Sequence, residues 1–229
     1  ETDMVLFCDS LALSLNENIL NHVIYFDFAK AFDSVNHDIL LQKLKSHYNI
    51  DGILLKFLTN YLQGRMQRVV VGSESSSTLA VNSGVPQGSI LGPLLFVLFI
   101  NDLPSEVSEG TEIILYADDT KMWRKITSPS DCSILQRDID SLNEWANRNK
   151  MKFHPSKCKV LSISSRQMPT NFSVTYSLGE TLLEFVNTEK DLGVDITPKL
   201  SWNVQCDRIY SKACQQLGVV RRNGHIVSD

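Results

Sequence analysis

The chain has 229 residues, of which 43% are hydrophobic and 21% are charged, and its formal net charge is −4 at pH 7. This apolar content suffices to bury a hydrophobic core, so the composition excludes a disordered tail, a collagen-like repeat and a small disulfide-stapled scaffold. The charge is uneven, because residues 1–120 hold 15 acidic and 6 basic side chains, whereas residues 121–229 hold 11 acidic and 16 basic ones. We therefore expect an acidic part that can hold metal cations and a basic part that can hold a polyanion.

Cysteine usage and targeting signals indicate the compartment. The five cysteines are odd in number and form no CxxC pair, which is typical of free thiols in a reducing, intracellular environment, nuclear or cytoplasmic. The chain begins Glu1-Thr2-Asp3 without a basic n-region, so we expect no secretory signal. The apolar run Leu91–Ile100 is too short to span a bilayer and predicts a buried helix, so no membrane partner is expected.

The first quarter of the chain predicts one buried strand followed by two helices. The β-prone apolar run at residues 23–28 contains one carboxylate, so we expect a strand whose tip carries Asp27. Asp38 precedes apolar residues at helical spacing and is the predicted cap of the first helix. Asp51 is predicted to open the second helix, which Gly64 would end.

A hairpin, a loop and a helix are predicted next. Two short strands, residues 68–71 and 78–81, flank a Gly/Ser-rich turn and predict a hairpin. The following segment, residues 83–89, has the composition of a loop, and an apolar helix is expected to start near Ile90.

The second half of the chain predicts alternating strands and helices. Residues 113–117 and 120–123 predict two strands joined by a tight turn at Asp118-Asp119. Apolar residues spaced by 4, 3 and 3 between Leu135 and Trp145 predict an amphipathic helix. The remaining predictions are strands at 159–164, 174–178 and 192–196, a turn at Gly179, and a helix at 204–217 that ends at Gly218. The fold class predicted from this order is α+β, with helices around a small sheet.

Two of the predicted strand ends carry carboxylates. Asp27 follows one strand, and Asp118 and Asp119 lie between two others, so side-by-side strands would bring three carboxylates together. Clustered carboxylates repel one another and are held ionised by hard divalent cations, and two such ions can promote phosphoryl transfer. In the alternative interpretation these residues only form turns, as strand-end aspartates commonly do.

The order of these and the other segments along the chain resembles the order found in the reverse transcriptases of non-LTR retrotransposons of the jockey-like kind. The matching segments are YFDFAKAFDSVNH at 25–37 (motif A of that family), SGVPQGSILGP at 83–93 (motif B), YADD at 116–119 (motif C), HPSKCK at 154–159 (motif D) and DLGV at 191–194 (motif E). The resemblance covers nearly the whole chain. It implies a polymerase palm, with a small antiparallel sheet flanked by helices.

The resemblance also implies roles for residues of motifs A, C and D. Asp27, Asp118 and Asp119 would hold two Mg²⁺ ions, for which Mn²⁺ could substitute, with Asp119 in the more supportive role. The backbone of Phe28 would help to complete the metal coordination, although packing is the alternative role of this residue. Lys157 would donate a proton to the leaving pyrophosphate or neutralise phosphate charge. The alternative for Lys157 is a solvated surface lysine.

Three further residues would bind substrate if the resemblance holds. Phe32 matches the aromatic steric gate against a ribose 2′ hydroxyl, and its alternative is a core phenylalanine. Gln87 and Gly88 match the pair that lies under the nascent base pair, where the glycine permits close backbone approach and the glutamine offers a donor and an acceptor. The alternative for Gln87 and Gly88 is that they only form a turn.

The implied function is RNA-directed DNA polymerisation, with an RNA or DNA template, a primer and deoxynucleoside triphosphates as partners. We expect a remnant of the fingers-side segment at 1–22, the palm at 23–200 and the start of a thumb-like helical segment at 201–229. Truncated fingers and thumb are expected because only 26 residues precede Asp27, and none of them is Lys or Arg. The alternative is a catalytically silent remnant or a domesticated nucleic-acid-binding module.

Overall fold

The computed structural model describes residues 2–165 and 174–223. Its helices are α1 (Thr2–Asn16), α2 (Ala31–Ser34), α3 (His37–Ser46), α4 (Gly52–Leu62), α5 (Leu91–Ile100), α6 (Pro129–Arg148) and α7 (Asn203–Asn223). The strands are β1 (Leu20–Phe26), β2 (Met66–Gln67), β3 (Val70–Val71), β4 (Glu74–Ser75), β5 (Leu79–Ala80), β6 (Thr111–Tyr116), β7 (Asp119–Ile126), β8 (Lys159–Ile163), β9 (Ser177–Leu178), β10 (Thr181–Leu182), β11 (Glu184–Val186), β12 (Glu189–Asp191) and β13 (Val194–Ile196). Short 3₁₀ turns cover Leu103–Glu106 and Pro155–Lys157.

A five-stranded sheet with the order β11-β8-β1-β7-β6 forms the centre of the fold. β1 is antiparallel to both of its neighbours, and β6 is antiparallel to β7. Only the short edge strand β11 runs parallel to its partner, β8. The apolar run predicted as a buried strand is therefore the central strand, where Val23 and Ile24 are fully buried on opposite faces. The predicted α+β class with a small antiparallel sheet is confirmed.

The two faces of this sheet carry two apolar clusters. The larger cluster joins one face to helices α3, α4, α5 and α6. The predicted amphipathic helix is confirmed as α6, whose Leu135, Ile139, Leu142 and Trp145 are all buried in this cluster. On the other face, Phe7 of α1 packs beside Trp123 of β7. Along the described chain, no helix is both long and apolar enough to cross a bilayer.

Two helix boundaries differ from the predictions. Asn36, and not Asp38, caps α3, since its side chain accepts a hydrogen bond from the Ile39 N–H at 3.1 Å. Asp38 lies inside the first turn, where a negative charge still interacts favourably with the helix dipole. The predicted stop at Gly218 is wrong, because α7 continues to Asn223. Gly218 keeps a negative φ and therefore does not act as a left-handed C-cap.

In the short hairpins, the observed strands differ more from the predicted boundaries. In place of one hairpin, β2 pairs with β5 and β3 pairs with β4, with Met66 opposite Ala80 and Val70 opposite Ser75. These strands are exposed on both faces, so no buried face fixes their register in the sequence. The strand expected at 174–178 is reduced to β9, which turns at Gly179 into β10. The strand expected at 192–196 is the second half of the β12–β13 hairpin.

Candidate active site

The pairing of β1 with β7 brings the predicted carboxylates to one end of the sheet. The last pair of this ladder is Phe26 with Thr120, so Asp27 and Asp119 lie one step beyond it on neighbouring strands. Asp118 lies in the β6–β7 turn, next to Ala117, whose φ is +53°. The predicted two-aspartate turn therefore needs one correction, since Asp119 belongs to β7 and pairs with Tyr116.

These carboxylates line or adjoin a cavity of about 150 Å³. Asp27 and Asp119 contribute to its wall, and so do Glu189 and Asp191 of β12. Partial burial raises the pKa of Asp119, and the negative charges of Asp118, Asp191 and Asp27 raise this pKa further. The contribution of the three neighbouring carboxylates to this pKa rise indicates negative charge around Asp119, which favours a cation there.

The segment that resembles motif D is hydrogen-bonded directly to the backbone of Asp27. The Asp27 carbonyl accepts a hydrogen bond from the His154 N–H at 2.7 Å, and the Asp27 N–H donates to Cys158 Sγ at 3.5 Å. Burial raises the pKa of the Cys158 thiol to about 11, so this sulfur stays neutral. Lys157 Nζ consequently lies 3.3 Å from Asp27 Oδ1. Lys157 is thus at the site beside Asp27, with 59% of its side chain exposed.

The fit of the site to a divalent metal depends on its donor atoms. Its charged ligands are carboxylate oxygens, which Mg²⁺ and Mn²⁺ prefer. Burial raises the pKa of Asp119 most, and the neighbouring carboxylates raise it further by repulsion that a cation would relieve. Within residues 2–165 and 174–223, no three His, Cys, Asp or Glu side chains are already grouped as a metal site. The donor set therefore fits the ions, and the three-carboxylate metal site stays a prediction.

Phe28 and Phe32, two of the aromatic residues of motif A, occupy different surroundings. Phe28 is 5% exposed and stacks on Phe153 with ring centroids 4.3 Å apart, which agrees with its packing role. Phe32 is only partly buried and stacks on Phe96 with centroids 4.6 Å apart. Phe32 therefore has a rigid support on one side and open surface on another.

The loop predicted at residues 83–89 lies against the segment that follows Asp27. Gln87 Nε2 donates a hydrogen bond to Asp33 Oδ1 at 3.2 Å. Gly88 has a φ of +77°, and no atom of the described residues would lie within 4 Å of a Cβ added there. Close approach of this chain's own backbone to Gly88 is therefore not observed, and its positive φ is the local reason for glycine.

Sequence reasoning missed Gly84, the residue that joins this loop to motif A. The Gly84 N–H donates to the Val35 carbonyl at 2.8 Å, and the Gly84 carbonyl bonds to His37 Nε2 at 2.8 Å. A Cβ on Gly84 would lie 2.9 Å from the Asp33 backbone. The Ser-Gly dipeptide indicates a turn, but its partners are about 50 residues away and no local pattern reveals them.

Gly84→Ala is expected to be strongly destabilising. The φ of +89° strains an alanine by about 1 kcal/mol, and overlap with the Asp33 backbone adds a similar or larger cost, so we expect a total of about 3 kcal/mol. Gly64→Ala is the matched control, since Gly64 has a φ of +69° without a described atom near the added Cβ. Urea unfolding of both variants measures the difference. Equal losses of unfolding free energy would contradict the close approach at Gly84.

Known proteins resemble this chain in sequence and fold. Residues 7–219 match the family described as reverse transcriptase (RNA-dependent DNA polymerase). The RNA-directed DNA polymerase from mobile element jockey of Drosophila melanogaster is 32% identical over 186 residues, which cover 78% of this chain and 20% of that protein. Its counterpart from Drosophila funebris is 31% identical over 187 residues, with the same shares of the two chains covered.

Among solved structures, an apo telomerase from Candida tropicalis aligns with a TM-score of 0.60 at 14% identity. The alignment covers 87% of this chain and 38% of the telomerase chain, and it supports the same fold. The chain spans about a fifth of the length of the curated relatives it matches. Because the family model matches most of the chain and the jockey relative is more than 30% identical, the chain belongs to the reverse transcriptase (RNA-dependent DNA polymerase) family.

Proposed function

We propose that this chain is the palm of a retrotransposon RNA-directed DNA polymerase, which adds deoxynucleotides to a primer 3′ hydroxyl under the direction of a template. The observation that supports this most is the pairing of β1 with β7, which brings Asp27 beside Asp119 and next to the turn that holds Asp118. The names of the jockey relatives, which are RNA-directed DNA polymerases from mobile elements, support the same activity.

We assign two Mg²⁺ ions, replaceable by Mn²⁺, to Asp27, Asp118 and Asp119, with the Phe28 backbone as a further ligand. The oxygen donors and the repulsion around Asp119 support this assignment. When bound, the ions activate the attacking hydroxyl and stabilise charge on the leaving phosphate oxygen. The pairing of β1 with β7 keeps Asp27 and Asp119 adjacent, so that the ligands need little rearrangement before reaction.

Other residues position substrate or move a proton. Lys157 Nζ lies beside Asp27 on an exposed side chain, from which it can donate a proton to the leaving pyrophosphate or neutralise its charge. Gln87 and Gly88 lie on the loop fastened to motif A, where they would support the nascent base pair. Phe32, supported by Phe96, would exclude a ribose 2′ hydroxyl.

The partners follow from the same proposal. An RNA or DNA template with its primer would contact the basic second part of the chain, and deoxynucleoside triphosphates would enter at the carboxylates. We assign residues 23–200 to the palm, 1–22 to a fingers-side segment and 201–229 to the start of a thumb-like segment. All five cysteines are free thiols, which supports a reducing, intracellular compartment.

Primer extension tests the assigned carboxylates. Asp27→Asn and Asp118→Asn each remove one anionic metal ligand with little change of shape, so we expect at least about 100-fold slower extension in Mg²⁺ or Mn²⁺. Asp38→Asn, on the exposed first turn of α3, is the matched control and should extend like the unaltered chain. Lys157→Gln should slow extension by about 100-fold without weakening primer–template binding.

Two outcomes contradict this assignment. Extension that persists unchanged in Asp118→Asn would remove the proposed mechanism. Salt-sensitive RNA or DNA binding without any extension by the unaltered chain would instead support a nucleic-acid-binding module.

The steric-gate role of Phe32 has its own test. In Phe32→Ala the space beside the incoming sugar grows, so we expect selection of deoxynucleotides over ribonucleotides to fall at least about tenfold. The ratio of the two incorporation rates is measured in single-nucleotide extension, and a loss of folded protein lowers both rates equally. An unchanged ratio with lower stability would leave Phe32 as a core residue that stacks on Phe96.

A further inference from the structure

The β12–β13 hairpin lies at the candidate active site without being part of the central sheet. Its two strands pair only with each other among the described strands. Glu189, Asp191 and Leu192 of this hairpin nevertheless line the cavity that Asp27 and Asp119 share. No backbone ladder joins the hairpin to the five-stranded sheet, so side-chain contacts contribute to fixing its position.

One such contact is a buried ion pair between β7 and β12. Lys121, two residues after Asp119, donates a hydrogen bond from Nζ to Asp191 Oδ2. The two side chains are only 6% and 5% exposed. Lys121 Nζ also lies 4.3 Å from the centroid of the Phe7 ring of α1. A buried charge separated from its partner is strongly destabilising, so this pair ties one point of the hairpin to one point of the catalytic strand.

The other strand of the hairpin, β13, contacts α7 through an ion pair and a hydrogen bond. Arg208 Nε lies 2.9 Å from Asp195 Oδ2, and the Asp195 N–H donates to Gln205 Oε1 at 3.0 Å. The hairpin therefore connects α7, through β13 and β12, to the strand that begins with Asp119. A shift at either fastening would move the wall of the cavity relative to the carboxylates.

Apolar contacts alone would fix the position of the hairpin less precisely than the ion pair does. Ile196 is 1% exposed and belongs to the smaller apolar cluster, with Val194 packed against that cluster. Hydrophobic contacts are non-directional, so they permit small displacements that an ammonium–carboxylate hydrogen bond opposes. Displacements of about 1 Å at a reacting centre can cost about 100-fold in rate.

We propose that Lys121 and Asp191 are positioning residues for nucleotide transfer. Their buried ion pair holds the β12–β13 hairpin in register with Asp27 and Asp119, and so keeps the cavity wall aligned with the reacting 3′ end. This role rests on the proposed function, since only a polymerase reaction requires that alignment. The two charges pair with each other, so the pair acts through the position of the hairpin, and its loss should lower kcat and leave primer–template affinity unchanged.

The decisive variant replaces both partners by apolar residues of similar size, Lys121→Met with Asp191→Leu. Removing both charges avoids a buried unpaired charge, so we expect the double variant to unfold close to the temperature of the unaltered chain, whereas Lys121→Met alone unfolds lower. The kcat of extension should fall at least about tenfold in the double variant, with unchanged primer–template Kd. If the double variant regains the stability that Lys121→Met loses but does not regain kcat, the pair positions the site and is not only structural.

The matched control is the pair formed by Lys125 and Glu17. Lys125 lies on the same strand, β7, but its side chain is 47% exposed and its Nζ is 3.8 Å from Glu17 Oε2. Lys125→Met with Glu17→Leu removes the same charges and should leave kcat unchanged, because exposed ion pairs position little. Asp191→Glu is a second test variant, since it keeps the charge and lengthens the side chain. It should fold and lower kcat.

Hydrogen exchange at residues 189–196 supplies a readout that does not depend on activity. The amides of the hairpin should exchange at least about tenfold faster in the Met/Leu variant, while those of β1 stay protected. Unchanged hairpin exchange, or an unchanged kcat in both the Met/Leu variant and Asp191→Glu, would overturn the proposal. If the unaltered chain extends no primer, the proposed function fails, and the exchange rates still decide whether the pair holds the hairpin.

Discussion

The antiparallel pairing of β1 with β7 is the constraint on which the rest of this structure depends. β1 is buried on both faces, with Val23 facing one apolar cluster and Ile24 facing the other. A slip of one residue would exchange these faces, so burial fixes the register strongly. The same register brings Asp27 beside Asp119. The hydrophobic effect thus stabilises an arrangement that holds like charges close together, and the pKa of Asp119 is raised first by burial and second by those neighbouring charges.

The residues that follow Asp27 leave the regular sheet, and two distant segments hold them in place. The Ala29 N–H donates to the Lys152 carbonyl at 2.8 Å, and the Val85 N–H donates to the Phe32 carbonyl at 2.8 Å. The β12–β13 hairpin contributes a further part of the cavity wall. The site is therefore assembled from loops, but each loop is bonded to the central sheet or to motif A. These bonds can hold irregular backbone at fixed positions.

The sequence was most informative where structure depends on local patterns. The strand ending at Asp27 and the amphipathic helix α6 follow from periodicity within a few residues, and both are confirmed. Asp38 is predicted as the cap of α3 because it directly precedes apolar residues at helical spacing, whereas Asn36 has the extended backbone and the side-chain hydrogen bond of the cap. The docking of Gly84 and the Lys121–Asp191 pair join residues about 50 to 70 positions apart, which no local pattern encodes.

Metal binding by the carboxylates is tested most directly with Mn²⁺, whose free and bound forms electron paramagnetic resonance distinguishes. The measurement compares the unaltered chain with Asp27→Asn and with Asp38→Asn, which changes an exposed aspartate away from the cavity. We expect saturable Mn²⁺ binding by the unaltered chain and by Asp38→Asn, and weakened binding by Asp27→Asn. Equal binding by all three proteins, or none by the unaltered chain, would contradict a metal site formed by the pairing of β1 with β7.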